Sequence, residues 1–181
     1  MLAKILKDYE GIIGAVLGVA VTMIVTFILK KIGKVYITVD DFDIKNYRFD
    51  SGYPKGTVDY AEAEYVDISF EISFFNSSDE PRGFQDIKVV FYDSYRNVIF
   101  KKTPHDMRTT RNTSYGSTSD ELKIINLPSK TMLQIGVETY VREELVKEMS
   151  KCASIYFESK DHKGRVTKHL LKKNMIVKNP Q

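Results

Sequence analysis

The sequence predicts a mainly β protein, in which one N-terminal transmembrane helix precedes an antiparallel β-sandwich that carries one short helix. Two observations support this fold class. Residues 11–29 form an apolar run without charge or proline, and the rest of the chain alternates apolar and polar residues between polar turns. We therefore divide the chain into an anchor with short flanks (1–33), a β-sandwich domain (34–173) and a tail (174–181).

The apolar run has the length and the flanks of a membrane-spanning helix. About 19 residues at 1.5 Å each cross a hydrocarbon core of roughly 30 Å. Tyrosine rings and long lysine side chains favour the membrane interface. The side chains expected there are Tyr9, Lys30, Lys31, Lys34 and Tyr36. A cleaved signal peptide is the alternative, but its apolar region is shorter and ends in small residues. We expect an uncleaved single-pass anchor in the cell membrane, with the lipid bilayer as a partner.

Small residues recur at every fourth position of the run and form a stripe along one helix face. They are Gly14, Gly18, Thr22 and Thr26. Such a stripe lets two helices approach closely, and threonine hydroxyls can bond across the contact. The stripe predicts a homodimer or a contact with another membrane protein. The alternative is that glycine and threonine are simply common in spanning helices.

The lysines that flank the apolar run indicate which side of the membrane carries the sandwich. Lysines are denser after the run than before it, which favours a cytoplasmic sandwich under the positive-inside rule. Cys152 is the only cysteine, so no intrachain disulfide indicates an oxidising compartment. Glycosylation tripeptides begin at Asn76 and Asn112, but such tripeptides often occur by chance.

Seven or eight strands are predicted after the anchor. The clearest covers 65–75, where apolar residues alternate strictly with Asp67, Ser69, Glu71 and Ser73. The predicted strands are 34–47 (with a bulge near Asp40 and Asp41), 65–75, 84–93, 98–100, 122–125, 131–139, 153–157 and 165–171. Residues 141–149 change to a period of four and predict a short amphipathic helix.

Two long segments lack this alternation and are predicted as loops. Residues 49–64 contain Gly52, Pro54 and Gly56, together with Tyr53 and Tyr60. These two tyrosines would either contact a partner or pack on the sandwich. Residues 103–120 are polar and include His105, so an active site would be sought there; a solvated loop or strand connection is the alternative.

No catalytic, metal-binding or cofactor-binding pattern is recognised. His105, His162 and His169 stand far apart, and Cys152 is expected to be a small buried side chain. Asp40, Asp41 and Asp43 cluster, but they lack the glycine and glutamate of an EF-hand loop. The net charge of +3 is small and its lysines are scattered, so nucleic-acid binding has no support. We expect no enzyme and no cofactor.

Residues 66–99 resemble the bacterial FxLYD domains and, more loosely, the LEA14-like sandwiches. The shared features are an alternating strand that ends in Asn76-Ser77-Ser78, a turn at Pro81 and the segment Val90-Phe91-Tyr92-Asp93 before a hairpin. Asn126-Leu127-Pro128-Ser129-Lys130 is similar to the proline turn of that family. The resemblance implies an immunoglobulin-like interaction or spacer module at a bacterial envelope, and it carries no catalytic residues.

The expected function is therefore that of a membrane-anchored, non-enzymatic interaction or scaffolding module with an unknown protein partner. The alternative is a small-ligand or lipid-binding sensor that uses a cleft between the sheets near 49–64. Above roughly 300 Å³, an apolar cavity would favour that alternative.

Overall fold

The computed structural model describes residues 10–50, 53–114, 116–142 and 144–173. Within these residues the chain forms two α-helices, eleven β-strands and one 3₁₀ turn, Tyr60–Glu62. The helices are α1 (Glu10–Lys31) and α2 (Glu144–Met149). The strands are β1 (Val35–Asp50), β2 (Tyr53–Thr57), β3 (Tyr65–Asn76), β4 (Arg82–Tyr92), β5 (Val98–Lys102), β6 (His105–Thr113), β7 (Gly116–Glu121), β8 (Ile124–Leu127), β9 (Met132–Arg142), β10 (Ser154–Asp161) and β11 (Val166–Lys173).

The predicted antiparallel β-sandwich is confirmed, with more strands than expected. One sheet has six strands in the order β2-β1-β3-β9-β6-β7. The other has the order β11-β10-β4-β5, and β8 pairs with one end of β4. The chain crosses between the sheets after β3, β5, β7, β8 and β9, so each sheet is built from strands distant in sequence. This topology brings residues from both halves of the chain onto one sheet face.

The core lies between the inner faces of the two sheets. The alternation in β3 places Phe70 and Phe74 inside, where both rings contact Phe157 of β10. Burying a large apolar side chain contributes about 1.5–3 kcal/mol to stability. The largest fully buried side chains are Phe70, Phe74, Phe91, Phe157, Ile68, Ile72, Ile87, Leu127, Ile135, Met149, Ile155 and Val66.

Strand β1 contains the predicted bulge. Its pairing with β3 shifts between Asp40 and Asp43, and Asp41 adopts a φ of 51°, in the left-handed region. Aspartate tolerates this conformation better than most residues. The extra residue keeps Ile37 and Ile44 on the same, inner face of the strand.

The loop predicted over 49–64 is wrong in part. The chain forms β2, which pairs with the end of β1, and then the 3₁₀ turn. Tyr60 is not an exposed contact residue: it is half-buried, packs on the core and donates a hydrogen bond to the carbonyl of Val146 in α2. This bond ties the segment to the short helix. The side chain of Tyr53 lies outside the described residues.

The loop predicted over 103–120 is also wrong, because these residues form the β6–β7 hairpin. Only His105 and Asp106 pair with β9, and the Met107 sulfur lies 3.3 Å from the position of a Cβ on Gly136 of β9. Inside the hairpin the register shifts between Asp106 and Arg111, and the Thr109 hydroxyl holds the shift by accepting from the backbone N–H of Asp120, 2.8 Å away. Nearly every side chain here faces water.

The predicted short helix is present but begins later than expected. Helix α2 covers Glu144–Met149, whereas Val141 is still part of β9 and is fully buried. Val146 and Met149 point from α2 into the core. The period of four from Val141 to Met149 therefore spans a strand end and a helix that share one apolar face.

Helix α1 lies outside the folded core. Its segment Gly11–Ile28 has a mean hydropathy of 2.5, and none of its residues is buried. By length and composition it is the one helix in the described part of the chain that could cross a membrane. A spanning anchor and a signal sequence share these properties.

A short junction connects α1 to the sandwich at the turn that follows β3. The backbone N–H of Lys34 donates to the Ser77 hydroxyl at 2.9 Å, and the backbone N–H of Ser77 donates to the Lys34 carbonyl at 3.0 Å. Gly33 has a φ of 148°, and a Cβ there would lie 2.4 Å from Cα of Ser78. Only glycine fits this position, because both the backbone angle and the close contact exclude a side chain.

Candidate interaction surface

The outer face of the six-stranded sheet carries a cluster of aromatic rings at the end far from α1. We call this cluster the aromatic platform and define it by residues from β1, β3, β6 and β9. Its members are Tyr47, Phe49, Tyr65, His105, Tyr140 and Arg142. Most of the length of β1 separates Tyr47 from Tyr36, which lies at the end next to α1. The platform is therefore about 35 Å along the sheet from that end.

Tyr65 is at the centre of the platform. Its ring centroid lies 5.9 Å from that of Tyr47 and 5.9 Å from that of Tyr140. The Arg142 guanidinium lies over both Tyr65 and Tyr140, at 5.3 and 5.2 Å from the ring centroids. His105 stacks on Tyr140 at 5.0 Å. Such packing holds the rings in fixed orientations and leaves their outer faces and the exposed Arg142 open to a partner.

Carboxylates border the platform on the side towards α1. Burial raises the pKa of Asp67, and the nearby Glu138 carboxylate raises it further. Burial likewise raises the pKa of the Tyr65 hydroxyl to about 12, so this hydroxyl stays protonated and can donate a hydrogen bond. The platform therefore combines flat apolar rings, a cation and phenolic donors. Tyrosine and arginine dominate the energetic centres of protein interfaces.

Sequence inspection did not identify the platform. Tyr47, Tyr65 and Tyr140 stand at outward positions of strands whose neighbouring outward residues are mostly polar, such as Lys45 and Asp67, and this was the available signal. Their convergence depends on the neighbours β1, β3 and β9, which strand patterns alone do not define.

The outer face of the five-stranded sheet carries a second feature, a surface groove of about 710 Å³. Tyr92, Tyr156 and Leu170 provide its apolar surface, and Arg96 and Lys168 supply cations. The groove lies away from residues 49–64, where a cleft between the sheets was expected. Its volume falls within the range of small-molecule sites.

Beside this groove lies a carboxylate, Glu158, that is only 7% exposed. The Tyr92 hydroxyl donates to one of its oxygens at 2.5 Å, Lys168 bonds the same oxygen at 2.7 Å, and Lys101 lies 3.4 Å from the other. Burial raises the pKa of Glu158, but the bonds from Lys168 and Tyr92 outweigh it and lower the pKa overall.

We expect Glu158→Gln to lower the free energy of unfolding by about 1–3 kcal/mol near neutral pH, because the buried bond from Tyr92 and the contact with the exposed Lys168 lose their charged acceptor. The folded-state pKa lies below the ordinary value of 4.5. The stabilisation by Glu158 is thus complete above about pH 4.5, and it is lost as the pH falls from there through the lower folded-state pKa. In urea unfolding from neutral to acidic pH, the free energies of unfolding of the unchanged chain and of Glu158→Gln should converge. The exposed Glu148→Gln serves as control and should show little difference at any pH. A gap that stays constant down to low pH would contradict this linkage.

The predicted helix–helix residues lie on one exposed face of α1. Gly14 and Gly18 have no neighbouring atoms within 4 Å of a hypothetical Cβ, so this face is open along the stripe. The Thr22 hydroxyl donates to the Gly18 carbonyl of its own helix at 2.8 Å. Its proton is therefore already used within the helix, and the oxygen would act towards a second helix as an acceptor. Thr26 is exposed one turn further on.

The predicted interface anchors cluster around the junction as far as they are described. Lys34 is exposed directly before β1, and Tyr36 is 57% exposed with its ring stacked on Phe75 at 6.3 Å. Lys30 and Lys31 end α1, and their side chains lie outside the described residues, as does Tyr9. The tail 174–181 also lies outside them.

The structure does not assemble the candidate chemical groups into a catalytic arrangement. His105 Nδ1 lies 2.8 Å from the Ser119 carbonyl oxygen rather than from a carboxylate. His162 is exposed in a turn, and His169 is half-buried, which lowers its pKa. Cys152 is buried as predicted, and burial raises its pKa to about 11. No cluster of histidine, cysteine and acidic side chains suited to a metal occurs among the described residues.

Comparison with known proteins identifies similar chains. The profile of a family described as "YopI Ig-like domain" matches residues 33–172. The chain is 36% identical over 172 residues to the "SPbeta prophage-derived uncharacterized protein YopI" of Bacillus subtilis strain 168, covering 94% of this chain and 97% of that protein. The resemblance expected from 66–99 is therefore supported at the coarser level of an immunoglobulin-like β-sandwich, and a relation to FxLYD or LEA14-like domains is not shown.

Solved structures resemble the chain more remotely. An uncharacterized β-sandwich protein from Clostridium difficile 630 is 16% identical, with 77% of this chain and 86% of that chain covered and a TM-score of 0.31. The putative ApaA protein from Bordetella pertussis is 6% identical, with 77% and 89% covered and a TM-score of 0.35. Neither likeness bears on what the chain does.

Proposed function

The chain belongs to the YopI Ig-like domain family, and we propose that it is a single-pass membrane-anchored, non-enzymatic β-sandwich that acts as a protein-interaction or scaffolding module. Residues 1–33 would anchor it, 34–173 would form the working domain and 174–181 the tail. The single observation that carries this proposal is a helix of spanning length whose segment Gly11–Ile28 has no residue buried against the sandwich. A soluble protein rarely exposes an apolar surface of that extent.

The extent of the alignment with the Bacillus relative supports the proposal. The alignment covers 94% of this chain, so it necessarily includes most of α1 as well as the sandwich. The matched family is described as an Ig-like domain, and no group of histidine, cysteine and acidic side chains suited to a metal occurs among the described residues. An Ig-like domain on a short tether is well suited to presenting a surface to other proteins.

Membrane fractionation of the full chain tests the anchor. We expect the protein to remain in the pellet after an alkaline carbonate wash and to require detergent for extraction. Val19→Arg combined with Met23→Arg should release it, because each arginine at the centre of the span costs about 2.5–3.5 kcal/mol of insertion free energy. Val19→Leu with Met23→Leu is the matched control and should stay in the pellet.

The same preparation distinguishes an anchor from a signal peptide. An N-terminal tag should remain on the membrane-bound protein if the helix is retained, whereas its loss would contradict the anchor. Protease treatment of spheroplasts tests the side of the membrane. We propose a cytoplasmic sandwich, which spheroplasts would protect.

The aromatic platform supports a protein partner. A photo-crosslinking amino acid at position 142 should yield a discrete product with a second protein, because Arg142 is exposed at the edge of the Tyr65 and Tyr140 rings. The same group at Asn126, exposed on the other sheet, is the control. Identical products from both positions would contradict a role for the platform.

Association through the helix stripe forms part of the proposal. Gly18→Ile should weaken self-association of the chain in a membrane reporter assay, because the larger side chain prevents close approach of two helices. Val19→Ile, on a neighbouring face of α1, serves as the control that introduces the same side chain. An unchanged signal for Gly18→Ile would remove the homodimer from the proposal.

The alternative function, a small-ligand or lipid-binding sensor, is favoured by the groove beside Tyr156. Dansylated phosphatidylglycerol offers a suitable probe for the detergent-solubilised full chain, because its anion and its apolar chains complement the cations and the apolar surface of the groove. Leu170→Glu should abolish binding, and Ile124→Glu, another exposed aliphatic position on the same sheet, should not. Equal binding by both variants would count against this alternative.

A further inference from the structure

A second apolar cluster lies on the outer face of the six-stranded sheet, at the end next to α1. We call it the proximal patch and define it as Tyr36, Phe75 and Met132. Tyr36 pairs with Phe75 across β1 and β3, and Phe75 pairs with Met132 across β3 and β9, so the three side chains form one row. Their exposures are 57%, 42% and 64%, and the described chain covers none of them fully.

The junction holds this row close to the end of α1. Ile32, Gly33 and Lys34 alone separate α1 from β1, and three residues span about 10 Å at full extension. The hydrogen bonds between Lys34 and Ser77, and the fit of Gly33 against Ser78, keep the linker on the sandwich. The domain therefore cannot move away from the surface that the helix enters.

We propose that the proximal patch rests in the lipid headgroup layer and fixes the orientation of the sandwich on the membrane. This inference rests on the proposed membrane anchoring and extends it from the helix to the sheet. Tyrosine favours that layer, and phenylalanine and methionine bury apolar surface at its boundary with the acyl chains. Three side chains suffice, because the short tether already holds them at a high effective concentration near lipid.

The charge pattern of the same face limits the contact to this one row. The next row towards the platform is polar, and beyond it Asp40 pairs with Glu71 across β1 and β3. These carboxylates face outwards and would be repelled by anionic headgroups. The sheet thus stands on its proximal row with the rest of its outer face held away from lipid. This orientation directs the aromatic platform into the surrounding water.

Site-specific fluorescence of the full chain in vesicles tests the orientation. Phe75→Cys and Met132→Cys each receive an environment-sensitive maleimide probe, and Arg142→Cys on the platform is the distant control. Cys152 does not interfere, because its thiol is buried with a pKa of about 11. The vesicles contain phosphatidylcholine with about a quarter phosphatidylglycerol, with or without a headgroup nitroxide lipid.

We expect the nitroxide to remove about half of the fluorescence at positions 75 and 132 and little at position 142. Adding Phe75→Asp to the Met132→Cys chain should abolish the quenching while the protein still floats with the vesicles. Folding is not at risk, because both positions are exposed on the outer face; thermal unfolding followed by circular dichroism verifies this.

Three results would overturn the inference, and they have different meanings. A chain that does not float with vesicles would refute the anchoring itself and the inference with it. A chain that floats but shows equal quenching at positions 75 and 142 would refute only the orientation. Disulfide formation between two chains of the Phe75→Cys variant, without quenching, would show that a second copy covers the patch instead of lipid.

Discussion

Phe70→Ala is expected to lower the free energy of unfolding of the sandwich by about 3–5 kcal/mol, the cost of removing a large ring from a packed core. Phe70 is 2% exposed, and its ring lies between Phe42 of β1 and Phe157 of β10, with centroids at 6.3 and 6.4 Å. It thus connects the two sheets near the middle of the core. A domain has only about 5–15 kcal/mol in total, so this substitution leaves it close to unfolding at room temperature.

Urea unfolding of the detergent-solubilised full chain measures this effect. Phe75→Ala is a matched control, since it removes the same atoms from the same strand but from the outer face, where Phe75 is 42% exposed. We expect this control to cost less than about 1 kcal/mol. Similar losses for the two variants would contradict the assignment of inner and outer faces in β3.

Asn76→Ala is expected to lower the free energy of unfolding by about 2–4 kcal/mol, because several buried polar groups lose their partner together. Asn76 is fully buried. Its amide donates to the carbonyls of Glu80 and Pro128 at 2.8 and 2.9 Å, and its side-chain oxygen accepts from the backbone N–H of Ser78 at 3.0 Å. The methyl group of alanine satisfies none of these groups.

The same variant should loosen the junction, because Ser77 and Ser78 contact the linker directly. Hydrogen exchange of the Lys34 and Ser77 amides should accelerate in Asn76→Ala relative to that of β4 amides. Asn126→Ala is the control, since Asn126 is exposed, and it should leave both stability and exchange nearly unchanged. A loss of stability without faster exchange at the junction would confirm that Asn76 stabilises the sandwich but contradict its role in holding the junction.

Apolar periodicity predicted the central part of the fold. The inward positions of β3 and β4 and the bulge after Asp40 follow directly from side chains that must leave water. The turn at Asp93 is also found: its carboxylate accepts from the backbone N–H groups of Tyr95 and Asn97, both at 2.8 Å. In each case the signal lies within one short segment of the sequence.

The segments that were missed lack such a signal. In the β6–β7 hairpin nearly all side chains beyond Asp106 are polar and meet water, and Met107 alone does not give an apolar alternation. Strand β2 is a five-residue edge with Pro54 and Gly56, residues that usually indicate a loop. Both the β6–β7 hairpin and β2 form because their backbones pair with a neighbouring strand, and this pairing cannot be predicted from residue composition.

The candidate surfaces were predicted still less completely. Tyr36 was identified from its distance to the apolar run, but Phe75 and Met132 join it only through strand pairing. The same holds for Tyr65 and Tyr140 in the platform. Surface sites built from several strands depend on sheet order, which is a property of the whole chain.

The fit of Gly33 against Ser78 has a geometric consequence for any assembly of this protein. Because the linker is hydrogen-bonded to the sandwich, the helix cannot rotate freely relative to it. The direction of the helix face that bears Gly18 is therefore fixed relative to the two sheets. If two chains associate through their helices, their two sandwiches would consequently adopt one defined orientation relative to each other. Lengthening the linker by a few flexible residues would abolish that defined orientation and leave each sandwich free to rotate independently.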